Sequence, residues 1–193
     1  FFKHNQQDYV LRHYRRGGLI GKVLNDQYLY IGIEQSRAWR EFKLLQHMQS
    51  LGLNSPIPIA AKVKKTGLYY QADIITVKIP DAQDLSQYLL SKPLTTNLWE
   101  KVGETIASFH NAHIYHHDLN IHNIMIDTNH KVWLIDFDKC EIRKGQSWKT
   151  SNISRLKRSF EKEQNLGNIH WKKTDWNALI SAYSEALISD PSR

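Results

Sequence analysis

The 193-residue sequence contains a single cysteine, Cys140, so it can form no internal disulfide and no multi-cysteine metal site. A reducing compartment is the natural expectation. No stretch approaches the roughly 20 apolar residues that a membrane-spanning helix requires. The opening residues, Phe1-Phe2-Lys3-His4-Asn5-Gln6-Gln7, lack the charge, apolar run and small residues of a signal peptide. They also lack an initiator Met, so the chain is expected to begin inside a longer natural sequence. There is no internal repeat and no low-complexity segment. Acidic residues are the minority, 19 against 26 Lys and Arg, a formal charge of +7. That balance favours contact with something anionic: nucleic acid, acidic lipid or a phosphorylated ligand. Charge alone does not choose among them, and an evenly solvated basic surface is the plain alternative. The composition, 41% hydrophobic and 23% charged, is ordinary for a folded protein and argues against disorder.

The first third reads as strands around one long helix. Residues 8–14 are rich in β-branched and aromatic types and end at the breaker Arg16-Gly17-Gly18. Between 34 and 51, Trp39, Phe42, Leu45, Met48 and Leu51 recur every three residues, with Leu44 beside them, which predicts an amphipathic helix closed by Gly52. Two strands are expected at 59–63 and 68–77. Beyond Pro80 the pattern becomes mostly helical. Asn97 and Glu100 have capping-box spacing ahead of Leu98, Val102, Ile106 and Phe109. Two short apolar segments, 124–126 and 132–135, flank the turn Asp127-Thr128-Asn129-His130. Helices are expected at 152–164 and 174–188, the last burying Trp176, Leu179, Ile180, Tyr183 and Leu187.

The chemistry concentrates around that hairpin. Asp118 and Asn123 lie five apart in a loop, and Asp136 ends the second strand. Two carboxylates and an amide oxygen around one point suit a hard divalent cation such as Mg²⁺. One carboxylate then remains to orient or deprotonate a hydroxyl. The competing reading is that Asp118 and Asn123 cap turns and Asp136 only ends a strand. His110, His113, His116, His117 and His122 also cluster here, but without cysteines or the spacing of a His-Glu-x-x-His helix. His116 is better placed to brace the loop, with His117 and His122 facing substrate or solvent.

The order His116-x-Asp118-x-x-x-x-Asn123, then Asp136-Phe137-Asp138, resembles the protein-kinase catalytic loop and its Asp-Phe-Gly strand end. The resemblance implies that Asp118 is the catalytic carboxylate, accepting the acceptor hydroxyl's proton, while Asn123 and Asp136 hold Mg²⁺ on the phosphates of ATP. It also asks for a cation on a strand and a glutamate on the following helix. Val10-Leu11-Arg12 offers Arg12, which keeps the charge with a wider fork than Lys. Glu41 is the expected partner, with Glu34 as competitor at the helix start. The segment ending Val77-Lys78-Ile79-Pro80 falls at the hinge, where the backbone of Lys78 and Ile79 can pair with adenine.

Wider phrases narrow the resemblance. Leu11-Arg12-His13-Tyr14-Arg15-Arg16-Gly17-Gly18-Leu19, His116-x-Asp118-Leu119-Asn120-x-His122-Asn123, Leu134-Ile135-Asp136-Phe137-Asp138 and Arg155-Leu156-Lys157-Arg158-Ser159 are similar to the lipopolysaccharide-core sugar kinases, over nearly the whole chain. The resemblance implies an α+β, protein-kinase-like fold of two lobes. These are a small N-terminal sheet lobe with one long helix (1–76) and a mostly helical catalytic lobe (81–193), joined by a hinge at 77–80. It implies transfer of the γ-phosphate of ATP to a hydroxyl, expected to be O4, of 3-deoxy-D-manno-octulosonic acid (Kdo) on the lipid A precursor. The setting would be the cytoplasmic side of a bacterial inner membrane, as a peripheral enzyme on an anionic surface. Neither nucleic acid nor a protein substrate is expected. An aminoglycoside- or choline-kinase-type phosphotransferase and a nucleotide-binding pseudokinase are the alternatives.

The sequence departs from ordinary protein kinases in several places. Asn120 stands where serine/threonine kinases carry a phosphate-contacting Lys, and Asp138 replaces the Gly of Asp-Phe-Gly. Neither an Ala-Pro-Glu motif nor a Gly-x-Gly-x-x-Gly loop is present. Nine cations in three stretches, Arg15, Arg16, Lys22, Lys139, Arg143, Lys144, Arg155, Lys157 and Arg158, are the candidates for meeting an anionic acceptor or membrane.

Overall fold

A two-residue hairpin opens the chain in the computed structural model, which describes residues 1–15, 26–167 and 169–187. Strands β1 (Phe2–His4) and β2 (Gln7–His13) are joined through Asn5 and Gln6, both left-handed with φ of 47° and 65°. Positive φ at both positions matches the twist of the flanking strands. The breaker at Gly17-Gly18 lies outside the described residues, as does Ile188. Strands β3 (Tyr28–Leu29), β4 (Pro58–Thr66) and β5 (Tyr69–Val77) complete an antiparallel sheet. β2 and β3 share one edge of β5, at 73–77 and 69–70, and β4 pairs along it as well. Tyr70, Ala72 and Ile74 alternate inward along β5 and are buried.

Helix α1 (Arg37–Ser50) packs against β4 and β5. Its buried face is Ala38, Glu41, Leu44, Leu45 and Met48: Leu44, Leu45 and Met48 are buried as expected, and Ala38 and Glu41 stand in place of Trp39 and Phe42. Trp39 and Phe42 instead stack on each other, half-buried, and Leu51 is exposed. The reason is geometric. Each i+3 step falls about 60° short of a full turn, so a run of such steps drifts off any one face, whereas alternating steps of three and four hold it. The consequence is chemical, because Glu41 sits on the buried stripe. Gly52, at φ 70°, closes the helix. Its N–H donates to the Gln49 carbonyl at 3.0 Å and the Leu53 N–H to that of Met48 at 3.0 Å.

The C-terminal half holds β6 (Gln83–Asp84), α2 (Leu85–Ser91), α3 (Thr96–Asn111), β7 (Ile114–Tyr115), β8 (Ile124–Ile126), β9 (Val132–Leu134), β10 (Glu141–Ile142), α4 (Ser147–Gly167) and α5 (Lys173–Ala186). Helix α2 went unread in the sequence. Asp84 caps it, accepting from the Gln87 N–H at 3.1 Å, and Leu85 and Leu89 bury one face. The expected capping box at Asn97 is replaced by Thr95, whose hydroxyl accepts from the Leu98 N–H, so α3 starts two residues earlier. Helix α4 begins five residues before its apolar periodicity does, because Trp148 is buried against His110, with ring centroids 5.0 Å apart. The β8–β9 hairpin forms as read. Asp127 accepts from the N–H groups of Asn129 and Lys131 and from the Trp133 indole, each at 2.9 Å.

Helices α3 and α5 form the closest helix pair. Leu98, Val102, Ile106 and Phe109 are buried on α3, and Trp176, Leu179 and Tyr183 on α5. Gly103 makes the approach feasible, since a Cβ there would lie 2.2 Å from the Leu179 carbonyl oxygen and 2.9 Å from the Tyr183 nitrogen. Gly103→Ala is therefore expected to destabilise despite its better helix propensity. Overpacking should outweigh the propensity gain by about 2 kcal/mol, which at this chain size lowers Tm on the order of 4–8 °C. Thermal unfolding monitored by circular dichroism checks this, and an unchanged Tm would mean that the helices sit further apart.

Candidate active site

Asp136 follows β9 in a left-handed backbone conformation, φ 62°, which Gly, Asn and Asp adopt more readily than other residues. This bend puts Asp136 in the wall of the cleft while Phe137 is driven inward. Phe137 stacks on Phe109, centroids 5.7 Å apart, and lies against the His116 ring at 5.0 Å. His116 is buried, and burial lowers its pKa, so the ring is neutral. Its Nε2 lies 2.9 Å from the Ile135 carbonyl and must carry the proton to donate there. His116 thus braces the residue before Asp136.

Asn123 is buried, and its amide nitrogen donates to the Asp118 carbonyl at 2.9 Å. That bond fixes which end of the amide is which and leaves the side-chain oxygen available to a ligand. The Asn123 carbonyl accepts from the Ile135 N–H at 3.0 Å, so the loop that carries Asp118 and the strand leading to Asp136 are tied directly.

Arg12, on β2, bridges Glu41 and Asp136 with one guanidinium. The Tyr14 hydroxyl donates to the same Glu41 oxygen at 2.5 Å, and the guanidinium lies 5.0 Å from the Tyr14 ring centre. Burial alone would lower the pKa of Arg12. Glu41, Tyr14 and Asp136 outweigh it and hold the pKa above its ordinary value. Burial pushes the Glu41 carboxyl upward against the opposing pull of Arg12 and Tyr14. Glu34, the competitor, stands in a short helical turn before α1 and does not meet Arg12. Tyr14 went unread, although a residue two positions beyond Arg12 in extended chain faces the same side.

The Asp138 substitution has a partner. Arg37, at the start of α1, pairs with both Asp138 oxygens, and its other arm donates to the Tyr28 hydroxyl at 2.6 Å. The segment after Asp136 is thereby fastened to the helix that carries Glu41. A glycine at 138 could make no such tie.

Arg12, Glu41, Asn123 and Asp136 line one cleft of about 450 Å³, together with Lys78 and Ile79. Val10, Ile74, Val77, Met125 and Ile135 give it apolar walls suited to a flat ring. The Lys78 N–H already donates to the Asp8 carbonyl at 2.9 Å, whereas the Ile79 N–H makes no hydrogen bond among the described residues. Asp118 is exposed and is not among the residues that line this cleft; its carboxylate lies 3.2 Å from Arg155. The histidines go to separate partners. His110 is buried beside the Tyr183 hydroxyl at 2.8 Å, with its pKa pushed down to about 3 by burial and by Lys149. His122 faces Glu163 at 3.2 Å. Cys140 is buried, which pushes its thiol up to about 12 and leaves it inert, and its sulfur accepts from the His117 N–H.

Solved structures share the fold. WaaP in complex with acyl carrier protein superposes with a TM-score of 0.65 at 16% identity, covering 95% of this chain and 72% of that one. WbdD superposes at 0.54 and 16% identity over 95% of this chain and 42% of its own. The fold is accordingly the two-lobed, α+β kinase fold. The family model described as "Lipopolysaccharide kinase (Kdo/WaaP) family" matches residues 1–183. Two relatives carry the name 3-deoxy-D-manno-octulosonic acid kinase. The Vibrio cholerae protein is 49% identical over 95% of this chain and 77% of its own length, and a Haemophilus influenzae protein is 45% identical over 91% and 75%. The chain belongs to the lipopolysaccharide kinase (Kdo/WaaP) family and is an enzyme, a kinase.

Proposed function

We propose that this enzyme transfers the γ-phosphate of ATP to O4 of Kdo on the lipid A precursor. The observation that carries the reading is the single cleft in which Arg12 joins Glu41 to Asp136 while Asn123 ties the Asp118 loop to the same point. In this reading residues 77–80 are the hinge. Adenine pairs with the Ile79 N–H and the neighbouring carbonyl of Lys78, and Arg12 meets the phosphates. Asn123 and Asp136 suit Mg²⁺ by donor type, a free amide oxygen and a half-exposed carboxylate. Bound there, the ion would neutralise phosphate charge. Asp118 holds the acceptor hydroxyl and takes its proton. The product formed from ATP and Kdo-bearing lipid A precursor, analysed by phosphorus–proton correlation NMR, tests the assignment. A single phosphate coupled to H4 of Kdo is expected. Phosphate at another hydroxyl would move the regiochemistry, and none on Kdo would overturn the function.

The acceptor places the enzyme on the cytoplasmic side of the inner membrane as a peripheral protein. Among the described residues no helix is long and apolar enough to span a bilayer. Of the nine cations, Arg143, Arg155 and Lys157 are paired with Glu141, Asp118 and Glu161, and Arg16 and Lys22 lie outside the described residues. Arg15, Lys139, Lys144 and Arg158 form no ion pair there. At roughly 1 kcal/mol per cation near an anionic surface, four give about 4 kcal/mol, enough for reversible docking. Co-sedimentation with anionic vesicles should fall steeply between low and physiological salt, with negligible binding to neutral ones. Equal binding to both, or to neither, removes electrostatic docking.

A further inference from the structure

Helix α4 runs beside the catalytic loop, and four polar side chains on one of its faces meet the loop in step. Asn152 accepts from the His116 N–H at 3.3 Å, Arg155 donates to Asp118 at 3.2 Å, Ser159 accepts from the Ile121 N–H at 3.1 Å and Glu163 meets His122 at 3.2 Å. Positions 152, 155, 159 and 163 share one helix face. Arg155 is thus held in register with Asp118 by bonds about one turn to either side, and Asn152 and Leu156 are buried.

The loop itself supplies no cation next to Asp118. Asn120 is spent as a turn former, its amide nitrogen donating to the Asp118 carbonyl at 3.0 Å and its oxygen accepting from the His122 N–H at 2.9 Å. Arg12 is shared between Glu41 and Asp136, and Arg37 belongs to Asp138. Arg155 alone among these arginines holds the carboxylate that must act on the acceptor. It is 46% exposed, and Asp118 57%. One Nη donates to Asp118, and the remaining guanidinium donors have no partner among the described residues.

We propose that Arg155 is the acceptor-recognition residue, which binds the carboxylate of the sugar acid and thereby releases Asp118 to the acceptor hydroxyl. The proposal rests on the acceptor assigned above. A guanidinium fork suits a carboxylate, and the exchange replaces one carboxylate with another, so Arg155 is never left without a counter-charge. A sugar lacking the acid leaves Arg155 on Asp118, so recognition and activation of the base are coupled. The other source of the same anionic chemistry is the γ-phosphate of ATP.

The test compares wild type, Arg155→Ala and Arg155→Lys on Kdo-bearing lipid A precursor and on the same acceptor with its carboxyl converted to a carboxamide. The KM for ATP and the acceptor-free hydrolysis of ATP are measured alongside. Wild type should prefer the acid about 10- to 100-fold in kcat/KM, the range of a charge-assisted hydrogen-bonded pair. In Arg155→Ala the preference should collapse to within about threefold of unity, the acid losing mainly through its KM and the carboxamide gaining in kcat because nothing then holds Asp118. Arg155→Lys, which keeps charge without the fork, should recover part of it. A preference that persists in Arg155→Ala, or is missing in wild type, overturns the proposal. So does a raised KM for ATP with slowed acceptor-free hydrolysis, which would assign Arg155 to the γ-phosphate. Failure of wild type to phosphorylate either acceptor would instead overturn the function on which the proposal rests.

Discussion

Asp118→Asn is expected to lose on the order of 10²–10⁴-fold in kcat, the usual contribution of a positioned general base. The substitution is nearly isosteric, and the side chain is exposed, so the loop should keep its shape. What holds the loop is the backbone of residue 118, through the bonds from Asn120 and Asn123 to its carbonyl, and the variant leaves those intact. Asp118 does not line the nucleotide cleft, so the affinity for ATP should stay within about twofold, an effect small beside the tenfold that 1.4 kcal/mol represents. Single-turnover kinetics with saturating ATP separates the two quantities. A variant with full transfer activity would remove Asp118 from the mechanism, and one with greatly weakened ATP binding would move it into the nucleotide site.

Asp136→Ala is expected to abolish transfer and to weaken Mg·ATP binding about 10- to 100-fold, the scale of a charge-assisted hydrogen bond removed from one site. Asp136 lines the cleft and shares Arg12 with Glu41, so its loss removes a carboxylate from the end proposed to hold the phosphates and one of the two carboxylates that aim the guanidinium. The backbone there is left-handed, which costs Ala about 1–2 kcal/mol more than a residue tolerant of that region. Asp136→Asn separates the two effects, since Asn accepts the conformation but carries no charge. Calorimetric titration should show both variants binding Mg·ATP weakly, with only the Ala variant also lowered in Tm. Unchanged affinity in the Asn variant would mean that the carboxylate does not serve the nucleotide.

The placement of the Asp118 loop could be read because its elements are local. Asp118, Asn123 and Asp136 fall within one loop and one hairpin, and the turn at Asp127 sets their separation through bonds made by neighbouring residues. Arg12 and Glu41 were matched by charge and element type, without any local signal for their contact. What escaped were contacts between distant segments. Arg37 and Asp138 are 101 residues apart, and Arg155 and Asp118 are 37 apart. In the sequence Arg155 reads as one more surface cation. Only the packing of α4 beside the loop turns it toward Asp118. The first turns of the buried face of α1 were misplaced by one position for a related reason: a charged Glu41 belongs to the core stripe when a guanidinium from another strand meets it there. The short helix α2 is set by its cap and by burial, with too few residues to show a period.

The central claim is that the Arg12–Glu41–Asp136 cleft and Asp118 together move phosphate rather than merely bind a nucleotide. Incubating the protein with ATP labelled at the γ-phosphorus and Kdo-bearing lipid A precursor, with Asp118→Asn in parallel, measures this directly. The label should enter the lipid to about one phosphate per acceptor with wild type, at a rate on the order of 10²–10⁴ times that of the variant. Nucleotide that binds but leaves the lipid unlabelled, or equal labelling by the two proteins, would contradict it.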